Sequence, residues 1–176
     1  LLNGHIYTSE WYMGTEMLDY DIDGVTWNNI NGVPQSTTFC SMVALNNKIY
    51  RIEEYQAFWE YDPATDTWTQ LADQPTNRTG SSAWVHDGKI WVAGGWDDWN
   101  WVVLDTTAVY DPATDTWTEG PDLFEYMPEP GFFAADAKVD GMFVMIGCQN
   151  YDWYMGSPEL SGTVLIYNPD LNEWGY

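Results

Sequence analysis

The chain has very few basic residues for its length. Five lysines and arginines stand against 27 aspartates and glutamates among 176 residues, for a formal net charge of −22. A field of this sign repels nucleic acid and anionic membranes, so nucleic-acid binding is excluded as a function class and a cationic partner is favoured. The carboxylates are scattered through the chain and do not form a run, which excludes an acidic tail.

Long hydrophobic runs, metal-ligand clusters and catalytic motifs are also missing. No apolar run is long enough to span a bilayer, so no membrane insertion is predicted. Cys40 and Cys148 are expected to lie too far apart to form a disulfide. Neither His5 nor His86 has a second histidine or a cysteine nearby, so zinc and copper are not supported. No nucleophile elbow, phosphate loop or dinucleotide fingerprint occurs, so no catalytic residue is predicted and the protein is expected not to be an enzyme.

What the chain does have is an internal repeat. The residues Tyr61 to Thr69 recur letter for letter as Tyr110 to Thr118, and looser copies begin at Tyr20 and Tyr167. In all four copies a tryptophan follows the tyrosine after seven positions. A repeat of this kind fixes the architecture before any single residue is considered, since each copy is one structural unit that must stack on its neighbours.

A second landmark, a tight turn between two apolar runs, precedes each copy. Asn-Gly and Asp-Gly pairs suit a two-residue hairpin because both central residues take positive φ. The order within a unit is therefore strand, tight turn, strand, variable loop, strand ending in Tyr, short turn and strand near Trp, which predicts a four-stranded antiparallel meander. The turns are Asn3-Gly4, Asn46-Asn47, Asp87-Gly88 and Asp140-Gly141, and the units are residues 1–33, 34–75, 76–124 and 125–176.

The third unit resembles the kelch repeat. It has Arg78 ahead of its first strand, Gly94-Gly95 after its second strand, and the pair Tyr110 and Trp117. The resemblance implies an all-β fold, a kelch-type β-propeller in which each unit is one blade with its first strand innermost. Kelch rings usually close with roughly six or seven blades, so about four blades are expected here, as part of a longer polypeptide. The other units replace the double glycine with Ser9-Glu10, Glu53-Glu54 and Gly147-Cys148.

Proteins that this chain resembles bind partners on the face formed by the loops between the second and third strands and between blades. In the third unit that loop carries three tryptophans within six residues, interleaved with acids, and they cannot all be buried. Either these rings form a binding surface or they fold back over the blade as a lid, and both interpretations stay open. The candidate binding residues in three such loops are Trp96, Asp97, Asp98, Trp99 and Trp101; Tyr151, Asp152, Trp153 and Tyr154; and Trp11 and Tyr12.

Exposed aromatic rings beside carboxylates suit a protein partner, including a cationic one, or a glycan. The predicted function is therefore a non-catalytic protein-interaction module. One alternative is a structural subunit of an extracellular filament or matrix, in which the Trp-Tyr-Met-Gly stretches at 11–14 and 153–156 make contacts in a higher-order assembly. Another is a carbohydrate-binding propeller or a sugar-active propeller enzyme.

Two short motifs bear on the cellular location of the protein and on whether it binds a cofactor. Asn77 opens an Asn-Arg-Thr glycosylation sequon. With the acidic surface, the scarce lysine and the Trp-rich loops, it favours an extracellular or secreted setting over a cytoplasmic one. Asp19, Asp21 and Asp23 have the alternating spacing of a calcium loop, but Ile30 stands where that loop needs an acid. The segment also aligns with the ordinary turn of the repeat, which favours a turn, with calcium as the alternative and no other cofactor predicted.

Overall fold

The structure, a computed structural model, describes residues 1–9, 15–35, 39–123, 134–147, 149–152, 157–160, 162 and 164–175. Within these ranges the chain forms β-strands and turns, with one 3-10 turn at Glu54–Gln56. The described part contains no helix long and apolar enough to cross a membrane.

Four main sheets follow one another along the chain. The first consists of β1 (His5–Ser9), β2 (Met17–Asp21) and β3 (Thr26–Ile30), and the second of β4 (Ser41–Leu45), β5 (Lys48–Ile52), β6 (Phe58–Asp62) and β7 (Thr67–Gln70). The third consists of β8 (Ser82–His86), β9 (Lys89–Ala93), β12 (Thr107–Asp111) and β13 (Thr116–Glu119), with the hairpin β10 (Trp96–Asp97) and β11 (Val102–Val103) between β9 and β12. The fourth consists of β14 (Ala135–Val139), β15 (Met142–Ile146), β18 (Val164–Asn168) and β19 (Glu173–Gly175), with the hairpin β16 (Gln149–Asp152) and β17 (Ser157–Leu160) between β15 and β18.

Each main sheet is an antiparallel meander that falls within one predicted unit. The four-stranded order is confirmed for the second, third and fourth sheets, and the three strands of the first sheet correspond to strands two to four of the others. The first strands of adjacent four-stranded sheets lie side by side, β4 against β8 and β8 against β14. The sheets therefore stack as the blades of a propeller do.

The predicted hairpin turns are confirmed by their backbone angles. At Asn3-Gly4 the two central residues have φ of +50° and +84°, and at Asp87-Gly88 +49° and +69°. Asn46-Asn47 and Asp140-Gly141 also have positive φ at both positions. This left-handed geometry matches the twist of the two strands that each turn joins.

The repeated Tyr and Trp face each other across the third and fourth strands of each sheet. Tyr61 pairs with Trp68 and Tyr110 with Trp117, and their ring centroids lie 5.0 and 5.1 Å apart. The spacing of seven residues is therefore the spacing of two cross-strand neighbours joined by a tight turn. The other two copies pair in the same way.

An aspartate in the repeated turn ties the second blade to the first. Asp66 Oδ1 accepts hydrogen bonds from the Tyr61 hydroxyl at 2.7 Å and from the backbone N–H of Asn31 at 2.8 Å. Trp68 Nε1 donates to the carbonyl of the same Asn31 at 2.8 Å. Since Asn31 follows the last strand of the first sheet, these contacts join two blades.

The identical contacts recur one blade later. Asp115 Oδ1 accepts from the Tyr110 hydroxyl at 2.8 Å and from the N–H of Ala72 at 2.9 Å, and Trp117 Nε1 donates to the Ala72 carbonyl at 2.9 Å. Tyrosine, aspartate and tryptophan thus act as one unit. This shared task gives a physical reason for the letter-for-letter repeat.

The apolar core lies between the sheets. Four of the repeated rings are buried, namely Tyr61, Tyr110, Tyr167 and Trp174, but Trp27 is 60% exposed. One buried cluster joins the second and third sheets, and another joins the third and fourth. The first includes Tyr50, Ile52, Phe58, Ile90, Val92 and Tyr110, and the second includes Trp84, Phe143, Met145, Leu165, Tyr167 and Trp174.

One turn of the repeat departs from the others in a way that predicts a stabilising change. Val25 has φ of +53°, a conformation that is strained for a β-branched residue, and Asn172 occupies the same position of the fourth blade at +54°. Asn172 Oδ1 also accepts the hydrogen bond of the Tyr167 hydroxyl at 2.7 Å. We expect Val25→Asn to raise the free energy of unfolding by about 1 kcal/mol, measured by urea denaturation.

The reciprocal change provides the matched control. Asn172→Val puts the strained residue into the fourth blade and removes the acceptor of the Tyr167 hydroxyl. It should lower the free energy of unfolding by about 1–2 kcal/mol. A Val25→Asn protein no more stable than the parent chain would contradict the assigned strain.

Candidate functional site

The loops that follow the second strands of the second and third sheets meet at one end of these sheets. Tyr55 from the first loop and Trp99 from the second have ring planes inclined by 22° and centroids 6.3 Å apart. Tyr55 is 51% exposed, Trp99 56% and Trp101 62%. The partly buried Trp96 meets Trp101 edge to face at 6.2 Å. We call Tyr55, Trp99 and Trp101 the aromatic platform.

A buried carboxylate fixes the loop between β9 and β12, which carries Trp96, Trp99 and Trp101 and is called the tryptophan loop below. Asp97 Oδ1 accepts hydrogen bonds from the backbone N–H groups of Trp99 at 2.9 Å and Asn100 at 3.1 Å. Its Oδ2 accepts from Asn100 Nδ2 at 2.8 Å. The carboxylate therefore holds the turn that carries Trp99, as an aspartate does in an Asx turn.

A buried amide joins this loop to that of the neighbouring blade. Asn77 lies in the segment between the second and third sheets, and its Oδ1 accepts from the N–H of Tyr55 at 3.0 Å. Its Nδ2 lies 3.5 Å from Asp97 Oδ1, to which it donates. The polar chain Tyr55, Asn77, Asp97 and Trp99 thus sets the two rings of the platform relative to each other.

The hydrogen bonds decide the charge state of Asp97. Burial by itself would raise the pKa of this carboxyl, but the hydrogen bonds from Asn100, Trp99 and Asn77 outweigh it and leave the pKa below its usual value. The carboxylate is therefore ionised at neutral pH, and its support of the loop is lost only on strong acidification.

Arg78 closes the base of the tryptophan loop. Its buried guanidinium donates to the carbonyls of Gly94 and Thr106 at 2.9 Å each, and to Thr106 Oγ1 at 2.7 Å. Burial lowers the pKa of Arg78 to about 10, so the group stays charged at neutral pH. The backbone runs close to Thr79 at the double glycine, since a Cβ on Gly95 would lie 3.1 Å from the Thr79 carbonyl oxygen.

The second sheet has acids where the third has the double glycine. Arg51 Nε lies 2.6 Å from Glu53 Oε1, and both side chains are buried. Burial raises the pKa of Glu53 to about 7, against the lowering effect of Arg51 and with a further rise from the nearby Glu54. Glu53 therefore titrates near neutral pH at the start of the loop that carries Tyr55.

This shift predicts a pH-dependent stability. The folded pKa of Glu53, about 7, lies above the reference value of 4.5, so its contribution is fully present below about pH 4.5 and is lost as the pH rises through 7. When the pH falls from 8 to 5, the free energy of unfolding of the parent chain should rise by about 1–3 kcal/mol relative to that of Glu53→Gln. Urea midpoints across this range provide the measurement, and parallel pH profiles for the two proteins would contradict the shift.

The structure brings together the predicted candidates of the third unit. Trp99 and Trp101 are exposed and Trp96 is partly buried. The three tryptophans are therefore not all buried, as predicted. Asp97 is buried as an anchor of the loop, and Asp98 accepts a hydrogen bond from the Thr79 hydroxyl.

Tyr55 is the residue that sequence reasoning missed. Its neighbours Glu53 and Glu54 are buried, whereas Tyr55 itself is half exposed. Only the contact with Trp99 shows that Tyr55 shares the same surface. A tyrosine at the centre of a compact polar loop was the one signal in the sequence.

The candidates in the first and fourth units lie outside the described residues. These are Trp11, Tyr12, Trp153 and Tyr154, together with the side chains of Tyr151 and Asp152, whose backbone belongs to β16. The two Trp-Tyr-Met-Gly stretches and Cys148 also lie outside the described residues, so the predictions that rest on them stay predictions.

The position of Asn77 does not fit the predicted glycan. Its side chain is 1% exposed, and both its amide oxygen and its amide nitrogen make hydrogen bonds inside the protein. A sugar on Nδ2 would have to displace Asp97 and separate the two loops. The sequon therefore acts here as a structural element in the folded chain.

The spacing that suggested calcium forms a turn between β2 and β3. Asp21 Oδ1 accepts from the N–H groups of Asp23 and Gly24 at 3.0 Å each, while Asp19 pairs with His5 at 2.7 Å. These carboxylates have separate partners. In the described ranges no three His, Cys, Asp or Glu side chains are grouped so that they could hold a metal ion.

Comparison with known proteins agrees with this architecture. A sequence-family profile described as the kelch motif matches residues 77–123. Among solved structures the chain is similar to YjhT, with 15% identity and a TM-score of 0.84 over 99% of this chain. The chain spans 62% of the length of that YjhT chain, and no curated protein matches it. Residues 77–123 therefore match the kelch motif, and the sheets of this chain are blades of a β-propeller.

Proposed function

We propose that the protein is a non-catalytic interaction module that binds its partner on the aromatic platform. The observation that carries this proposal is the pair Tyr55 and Trp99, which come from two different blades and lie 6.3 Å apart with nearly parallel planes. Large exposed rings of this kind are the usual anchors of binding surfaces.

The platform is ordered before any partner arrives. Tyr55 and Trp99 are each positioned through a backbone N–H that donates to a buried side chain, Asn77 or Asp97. Ordering the loops in advance reduces the conformational entropy that binding would otherwise lose. The lid interpretation requires the rings to cover the blade, whereas both rings are more than half exposed.

Binding is favoured over catalysis because the polar groups under the platform hold the loops. Asp97 accepts three hydrogen bonds from Trp99 and Asn100, and Arg78 bonds the carbonyls at the base of the loop. An acid or base that is committed in this way is not positioned to exchange protons with a substrate. The kelch-type fold itself supports binding modules in general.

Setting and assembly remain predictions from composition and from sequence motifs. The extracellular setting loses the support of the sequon, since Asn77 is buried. The filament or matrix role depends on the stretches 11–14 and 153–156, which lie outside the described residues. A glycan partner also suits exposed flat rings, and the experiment below includes it.

The test is a screen with a displayed random-peptide library and a glycan array. We expect the screen to find ligands whose affinity for the double variant Tyr55→Ala/Trp99→Ala is at least about tenfold weaker than their affinity for the parent chain. Trp27→Ala is the matched control, because Trp27 is 60% exposed on the outer strand of the first sheet, away from the platform. Ligands that bind the double variant as well as the parent chain would overturn the proposal.

A further inference from the structure

The lysines of the chain are segregated from the aromatic platform. In a meander, the turns between first and second strands lie at the opposite end of the sheet from the loops between second and third strands. The three lysines all flank turns of the first kind. Lys48 follows Asn46-Asn47, Lys89 follows Asp87-Gly88, and Lys138 closely precedes Asp140-Gly141.

The two arginines near the platform are not available to a partner. Arg51 is buried against Glu53, and Arg78 is buried against the carbonyls of Gly94 and Thr106. All five lysines and arginines of the chain are among the described residues. At the end of the second and third blades that carries the aromatic platform, no lysine or arginine side chain among the described residues is therefore exposed.

A carboxylate accompanies the exposed rings instead. Asp98 is partly exposed in the same loop as Trp99, where it accepts a hydrogen bond from the Thr79 hydroxyl. No exposed arginine or lysine neutralises it at this end, and the chain as a whole carries −22. The field at the platform is therefore negative and attracts a cation.

The combination of flat rings and carboxylates selects a chemical class of partner. A guanidinium is planar, stacks on aromatic faces and pairs with carboxylates through two parallel hydrogen bonds. A cation within about 6 Å of a ring centroid is attracted by the electrons of that ring. We infer that the platform binds an arginine-bearing segment of a partner protein, with the guanidinium on Tyr55, Trp99 or Trp101 and Asp98 beside it. This inference rests on the proposed function.

The test uses a peptide of Arg-Gly-Gly repeats and an otherwise identical peptide in which citrulline, the neutral isostere of arginine, replaces each arginine. We expect the arginine peptide to bind the parent chain and to bind Tyr55→Ala/Trp99→Ala at least about tenfold more weakly. Trp27→Ala should stay within about twofold of the parent chain. The citrulline peptide should also bind the parent chain at least about tenfold more weakly, and added salt should weaken the binding of the arginine peptide. Isothermal titration calorimetry measures each of these affinities.

The outcomes separate this inference from the proposed function. Equal binding of the arginine peptide by the double variant would show attraction to acidic surface in general and would overturn the inference, as would equal binding of the citrulline peptide or no binding at all. Neutral library ligands or glycans that depend on Tyr55 and Trp99 would overturn the inference and leave the proposed function standing. A screen without ring-dependent ligands would overturn the proposed function itself.

Discussion

Replacing Arg78 with alanine should lower the free energy of unfolding by about 3–5 kcal/mol, because three hydrogen bonds from a buried charge are lost together. Its guanidinium donates to the carbonyls of Gly94 and Thr106 and to the Thr106 hydroxyl, all inside the protein. Alanine removes the donor of the Gly94 carbonyl and of the Thr106 hydroxyl, leaves the Thr106 carbonyl with the Gly94 N–H alone, and opens a cavity at the base of the loop. Urea denaturation followed by tryptophan fluorescence gives the measurement.

Lys89→Ala is the control for the loss of a positive charge. Lys89 pairs with Asp111 at 3.1 Å at the surface, with 44% of its side chain exposed. Ion pairs of this type contribute roughly 0–1 kcal/mol, so this variant should unfold close to the parent chain. An Arg78→Ala protein within about 1 kcal/mol of Lys89→Ala would show that Arg78 does not close the loop as described.

The second large effect is expected at Asp97, and it concerns binding. Asp97→Ala removes the acceptor of the Trp99 and Asn100 amides and of the Asn100 side chain. The tryptophan loop should then lose its fixed turn, and ring-dependent ligands should bind at least about tenfold more weakly. Hydrogen exchange should show faster exchange in residues 97–104, with the sheet amides unchanged.

Asp97→Asn separates the shape of the loop from its charge. Asparagine keeps Oδ1 as an acceptor for the two backbone amides, and it is a favoured residue in turns of this kind. It should therefore preserve the slow exchange of the Trp99 and Asn100 amides that alanine loses. If alanine and asparagine leave both exchange and binding unchanged, Asp97 does not position the platform.

The elements that sequence reasoning predicted correctly are local and repeated. The hairpin at Asp87-Gly88 follows from the need for two successive positive φ angles, which few dipeptides accept. The pairing of Tyr110 with Trp117 follows from strand alternation across a short turn. A repeat multiplies each such signal by the number of copies, so the blades could be predicted with no long-range information.

The candidate site was predicted in part. The prediction that the three tryptophans of this loop would not all be buried followed from the number of large rings in one short loop. Tyr55 could not be assigned to the same surface, because 44 residues separate it from Trp99 and only blade packing brings the two together. Asn77 matched a glycosylation motif in three letters, and that motif contains no information about burial.

The blade can be derived from the sequence alone, because strand pairing, turn geometry and the hydrogen bonds among the repeated Tyr, Asp and Trp act within one repeat or between adjacent ones. Which polar groups become internal supports depends on the packing of the folded chain. Arg78, Asp97 and Asn77 are ordinary surface residue types, and they are buried because two neighbouring loops close over them. The physical reason is that the burial of a side chain depends on packing against distant residues, whereas hydrogen-bonded strand pairs depend mainly on near ones.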